Sequence, residues 1–273
     1  MKEMRDRIDL PEEVDKNGKV LLAWLDGLSD DLLSVLQRIK SNLPDDKTSF
    51  SCVPSLEKLL DECRVAKNIV YVGEGLHCLK RSCELSSEII IQGVGAASKT
   101  LIENSEGGRL LFDVMNRGSS FSNMCLVGSK LKFVVVVRIG CCRMSNVTVQ
   151  GSHDNVAILV QSGAEFYAES CTFTDCSVAV EAREGSKITL KGCVIQNNIN
   201  GLVFQSSNVN LENCHFIDNT QSAVVQFGGS ESVSESNGAS GIMLESLQGV
   251  TAKGITFSGN KVNISRNIYN DPL

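Results

Sequence analysis

A segment of the form apolar-x-apolar-x-(Asn or Gly)-(Cys or apolar)-x-apolar recurs along this chain and constrains its fold more than any other feature. It reads ITLKGCVI at 188–195, VNLENCHF at 209–216 and VTAKGITF at 250–257. Weaker copies are FYAESCTF at 166–173, RMSNVTV at 143–149 and SFSNMCL at 120–126. With Met124, Val147, Cys171, Cys193, Cys214 and Ile255 taken as equivalent, the steps are 23, 24, 22, 21 and 41 residues. The last step is about two periods, with the middle copy degraded. A second apolar series interleaves at the same period: AILV 157–160, SVAV 177–180, GLVF 201–204, AVVQ 223–226, GIML 241–244 and KVNI 261–264. Two short series with one period and a fixed offset describe a coil holding at least two strands. Alternation by two at Ile188 and Leu190, and at Val209 and Leu211, is strand periodicity. Turn-rich NNING, DNTQS and GSHDN separate the series. The unit is too short for a helix and its packing partner in most coils, and a leucine-rich consensus is missing. The expected fold class is an all-β solenoid, a parallel β-helix most evident over about 85–268.

Stacking like positions puts Cys171, Cys193 and Cys214 in one internal column near a bend. After each comes a polar corner, Asp175, Asn197 and Asp218, followed by Cys176, Asn198, Asn219 and Asn260. Asparagine tolerates left-handed backbone angles and bonds neighbouring backbone groups, so Asn197, Asn198, Asn219 and Asn260 read as a structural corner. The chain has 11 cysteines, an odd number. Their recurrence in the repeat suits small buried side chains better than a disulfide framework, and the charged start MKEMRDRIDL lacks a signal-peptide centre. The thiols are expected to be reduced and the chain intracellular.

The domains expected are a helical lead-in and cap over 1–66 and a β-helix over 67–273, with coils of about 22 residues. In VLLAWLDGLSDDLLSVLQRIKS, 20–41, Leu28, Leu32, Val35, Leu36 and Ile39 share a stripe, with Ser29 as a cap. NLPDDKTS, 42–49, reads as a linker and SLEKLLDEC, 55–63, as a second short helix. The open end of a solenoid needs cover, which a helical cap supplies; the alternative is the tail of an upstream domain. FGGSESVSESNGASG, 227–241, is either a loop leaving the coil or a degenerate rung around Val233. The terminal IYNDPL offers no evident helix, so either a partner or a dimer caps the last coil or a longer parent chain has been cut there.

No motif carries an obvious chemistry. The P-loop, the G-x-S-x-G elbow and the H-E-x-x-H pair are all missing, and VGEGLH and QGVGAAS read as turns. His77, Cys78 and Cys83 are the nearest group to a metal constellation, without a second ligand pair at zinc spacing. No apolar run is long enough for a membrane span. The net charge of −6 opposes a nucleic-acid partner. Polysaccharide hydrolysis needs paired carboxylates, whereas the outward positions Glu169, Lys191, Glu212 and Lys253 alternate in sign. Asp175 and Asp218 stand two coils apart, roughly 10 Å at strand spacing. These observations point away from catalytic residues and cofactors. The exposed row of Tyr167, Thr189 and Asn210, with Lys187 and Asn208 before it, is the candidate binding surface, for a sugar or for a protein.

The repeats at 188–204 and 209–225 resemble the pectate-lyase-like β-helix repeat, which implies a right-handed, pectin-lyase-like solenoid. The leucine-rich lead-in followed by KNIVYVGEGLH and EIIIQGVG also resembles the C-terminal region of the SHC SH2-domain-binding protein and nessun dorma family. That resemblance implies a non-enzymatic adaptor at the spindle midzone or midbody in cytokinesis. Its partners would be the centralspindlin kinesin and its GTPase-activating subunit, and an SHC-type adaptor. A β-galactoside-binding activity attributed to one branch of that family implies the alternative, a carbohydrate-binding module or a polysaccharide-processing enzyme.

Overall fold

The computed structural model describes residues 20–24, 30–41, 50–63, 68–227, 234–235 and 247–267. Ser29, Gly27, Leu28, the 42–49 linker, most of 227–241 and the last six residues lie outside the described set. The fold is the expected all-β, right-handed parallel β-helix. Three sheets run its length. Sheet 1 begins with strands 50–53, 20–23 and 68–72, paired in that spatial order. Among the described residues eight coils, the first beginning with that 68–72 strand, enter sheet 1 at 68, 89, 119, 142, 165, 187, 208 and 250. In each coil the chain passes to sheet 2 (for example 172–174, 194–196 and 215–217) and then to sheet 3 (178–182, 200–205 and 222–227).

Each corner has a local cause. Between sheets 1 and 2 a single left-handed residue turns the chain: Asn123, Asn146, Ser170, Gly192, Asn213 and Gly254 have φ of 58°, 52°, 53°, 57°, 52° and 67°. Asparagine and glycine reach this region at least cost, which explains the Asn-or-Gly position of the repeat. The next residue points inward, giving the buried column Met124, Val147, Cys171, Cys193 and Cys214. A hydrogen bond that Cys193 donates to Cys171, together with burial, pushes Cys193 up to about 12, while the same bond lowers Cys171; the bond to Cys193 and burial raise Cys214. Cys193 and Cys214 are protonated packing groups.

The second corner separates two roles that the sequence reading merged. Asp175, Asn197 and Asp218 are the left-handed residues, with φ of 60°, 55° and 52°. The residues after them point inward. Asn198, Asn219 and Asn260 are fully buried and bonded in series: the Asn198 backbone N–H donates to Asn219 Oδ1 at 3.2 Å, and that of Asn219 to Asn260 Oδ1 at 2.9 Å. Cys176 occupies the same column, and its backbone N–H donates to Asn198 Oδ1.

The N-terminal region holds the expected helical elements but adds two strands that the helical reading did not give. Val20–Ala23 is a strand inside sheet 1, and Phe50–Val53 is its edge strand. The run VLLA is buried on both faces, which a strand achieves and a surface helix does not. Helix α1 (Asp30–Ser41) packs Leu32, Val35, Leu36 and Ile39 on the outer face of sheet 1, against Val20, Leu22, Ile69, Tyr71 and Ile90. Helix α2 (Leu56–Glu62) closes the end of the core instead, with Leu56, Leu59 and Leu60 in one cluster with Leu21, Ala23, Val70 and Val72. Its N-cap Ser55 accepts from the Lys58 backbone N–H at 3.4 Å. Arg81, in the first coil, ties it down through Glu57 and Asp61.

The ambiguity around 227–241 is also decided. Strand 208–212 pairs directly with 250–253, and 222–227 with 262–267. No rung intervenes, so the 41-residue step is one coil with an excursion. Ser234–Glu235 pairs antiparallel with Ser265 and Ile264.

Candidate functional site: the open outer face of sheet 1

Two outward rows run the length of sheet 1, and their character changes partway along. The first reads Val20, Ile69, Ile90, Ser120, Arg143, Tyr167, Thr189, Asn210, Thr251. The second reads Leu22, Tyr71, Gln92, Ser122, Ser145, Glu169, Lys191, Glu212, Lys253. The apolar start of each row lies under α1. From Ser120 and Ser122 onward the rows are polar and at least partly exposed. A third row beside them holds Cys141, Glu165, Lys187 and Asn208. The structure therefore brings Tyr167, Lys187, Thr189, Asn208 and Asn210 together on one open surface.

Tyr167 is its centre. The Arg143 guanidinium lies 5.6 Å from the ring centroid and the Lys191 ammonium 6.0 Å, within cation–π range. The phenol donates to Glu169 Oε2 at 3.2 Å. Burial raises the phenol pKa, with the bond to and charge of Glu169 adding and Lys191 and Arg143 opposing. Lys191 pairs with Glu212 and Lys187 with Glu165, both at 3.6 Å. Such exposed pairs contribute about 0–1 kcal/mol each, so they orient side chains more than they hold the fold.

The other faces are different. Sheet 3 carries apolar clusters on its outside, Leu110, Val136 and Leu159, then Val178, Val203 and Val225. Buried among them, Glu181 pairs with Arg183 at 2.7 Å; burial raises its carboxyl pKa, against Arg183 and Lys132. On sheet 2, His215 is exposed and bonds Thr256 Oγ1 at 2.6 Å. His77 points into the core, where burial lowers its pKa against a bond to the Gly73 carbonyl. Cys78 faces outward and Cys83 inward, so these three are not brought together. Among the described residues no group of three ligating side chains converges.

Sequence reasoning treated Glu169, Lys191 and Glu212 as a ladder of alternating charge. Register makes them more. Glu169 and Glu212 flank Lys191 in one row beside Tyr167, two strand spacings apart, or about 10 Å between backbones. Asp175 and Asp218, by contrast, sit at the left-handed corner beyond sheet 2.

Fold and surface define a right-handed parallel β-helix whose sheet 1 side is open and polar beyond α1. The chain belongs to the family described as "Right handed beta helix region", which matches residues 103–270. Among solved structures, rice weevil pectin methyl esterase shares the fold at 10% identity, with a TM-score of 0.50 over 75% of this chain and 74% of that one. A Geobacillus virus E2 protein, ORF18, aligns at 12% identity and a TM-score of 0.46, over 91% of this chain and 60% of its own. No curated protein sequence matches.

These findings correct the functional expectation drawn from the sequence. They support a pectin-lyase-like β-helix region and do not reach the SHC SH2-domain-binding protein and nessun dorma family. The family is that of the β-helix, and the solved relative in fold is named for an esterase. The non-enzymatic adaptor tied to centralspindlin, cytokinesis, spindle and midbody is withdrawn, and with it the reading of the chain as no enzyme.

Proposed function

We propose that the chain acts on carbohydrate, binding a glycan along the open outer face of sheet 1. The observation that carries this reading is the change in the outward rows, apolar under α1 and polar, open and aromatic-centred beyond it. Successive coils advance about 4.8 Å, close to the length of one pyranose unit. Thr189, Asn208, Asn210 and Thr251 offer hydrogen bonds at that pitch, and Tyr167 offers a ring face held by two cations. The same surface holds groups for hydrolysis. Glu169 and Glu212 are two carboxylates near the separation of an inverting pair, where one protonates a leaving oxygen and the other activates water. Lys191 lies between them and pairs with Glu212, which orients that carboxylate.

A glycan array followed by a reducing-end assay on the bound polysaccharides tests this. Binding should weaken at least tenfold in Tyr167→Ala and in Asn210→Ala. Glu169→Gln and Glu212→Gln should each keep binding and lower turnover about 100-fold or more. An array without hits, or hits indifferent to Tyr167 and Asn210, sinks the reading.

A further inference from the structure

Beside the open face, at the turn from sheet 3 into sheet 1, lies a cleft of about 600 Å³ lined by Ser86, Glu88, Met115, Arg117 and Ile139. That volume falls in the range of small-molecule sites. Its walls are preformed. Asn116 Nδ2 donates to the Leu85 carbonyl and to Ser119 Oγ, both at 2.8 Å, and its Oδ1 accepts the Gly118 N–H at 2.8 Å. The neighbouring turn packs tightly on this one: Gly140 has φ +73°, and a Cβ there would stand 2.0 Å from the Asn116 carbonyl oxygen.

Four large aliphatic side chains are exposed among the described residues, and two of them, Met115 (37%) and Ile139 (56%), are paired in register here. Scattered singly, such residues need no explanation; side by side on a rigid cleft they form a small apolar wall. Facing polar groups come from Glu88 and Arg117. The cleft adjoins the start of sheet 1 in each coil it touches. Glu88 and Gly118 precede the paired residues Ile89 and Ser119, in line with Cys141 and Glu165. Around Gly118 only the Glu88 carboxyl comes within 4.0 Å of an added Cβ. A side chain added at Gly118 would therefore reach the Glu88 carboxyl that lines the cleft.

We infer that this cleft is a side subsite for the acetamido group of an N-acetylated sugar, an assignment that rests on the glycan-binding reading above. An acetamido group presents an N–H donor, a carbonyl acceptor and a methyl on one small planar unit. Glu88 accepts from the first, Arg117 donates to the second, and Met115 and Ile139 cover the third. A plain hydroxyl at the same ring position leaves the apolar wall wet and uses one charged partner at most.

Two β-1,4-linked tetramers separate the possibilities, the N-acetylglucosamine tetramer and cellotetraose, which share a backbone and differ at the 2-position. Calorimetry on the whole chain should show the acetylated tetramer bound about tenfold tighter, of which the methyl supplies roughly fourfold. Ile139→Ser and Gly118→Gln should each remove most of that preference while sparing cellotetraose. Both variants should fold, because Ile139 is largely exposed and Gly118 has no left-handed φ; circular dichroism checks this. Tyr167→Ala should weaken both ligands. Equal binding of the two tetramers, with Tyr167→Ala still weakening both, overturns the subsite and leaves the glycan face standing. A preference unmoved by Ile139→Ser and Gly118→Gln overturns it too, as does binding of other array glycans but neither tetramer. A chain that binds no glycan loses both proposals.

Discussion

Asn197 and Asn198 are adjacent and chemically identical, yet they do different work. Asn197 is exposed and turns the backbone through a left-handed angle. Asn198 is buried in the ladder, as is Asn219, whose Nδ2 donates to the Ile195 carbonyl at 3.1 Å and whose Oδ1 accepts two bonds from Asn198. Asn219→Ala strands a buried carbonyl and a buried backbone N–H, and should cost about 2–4 kcal/mol. Asn197→Gly keeps the favoured angle and should stay within about 0.5 kcal/mol of the native chain. Urea denaturation of the two variants checks the difference; equal losses would mean that the ladder contributes no more than the turn. The sequence displayed both asparagines as one corner. Which points inward depends on the angle of its neighbour, and that became visible only with the coil closed.

At the scale of elements, the two N-terminal helices protect different surfaces. Helix α2 stoppers the core's open end, while α1 lies along the side of sheet 1 and marks where its open polar face begins. The need for a cap was legible in the sequence, because a solenoid's first coil exposes apolar cross-section. The division of labour was not, because VLLA at the head of a leucine-rich segment reads equally as helix or strand until a parallel partner is found. Leu59→Ala should destabilise by about 2–5 kcal/mol. Trp24, the chain's single tryptophan, packs over Gly73 in the first coil. Its fluorescence should therefore lose structure at lower denaturant than far-UV circular dichroism reports for the whole solenoid. Coincident transitions would show that the end does not unravel on its own.

For the molecule as a whole, stability comes from each coil resting on the next, so an excursion between coils is separable from the fold. The chain crosses from 205 to 208 with two residues, whereas the corresponding crossing from 227 to 250 carries the long excursion. Loop length costs stability only slowly. Replacing 229–245 by a four-residue Gly/Ser linker should leave the far-UV spectrum unchanged and the melting temperature within about 4 °C, roughly 1 kcal/mol or less. Loss of the β-sheet signal would show that the excursion is part of the core after all.

The sequence by itself determined the coil. Its period, the inward cysteine column and the Asn-or-Gly corner follow from local backbone preference and from burial repeated every 20-odd residues, and such signals survive without any knowledge of the third dimension. Tertiary structure alone decided which outward residues stand open together and which are covered. The repeat already placed Glu169, Lys191 and Glu212 in one outward row, but the contacts of Arg143 and Lys191 with the Tyr167 ring, and the pairing of Met115 with Ile139, had no local signature to read.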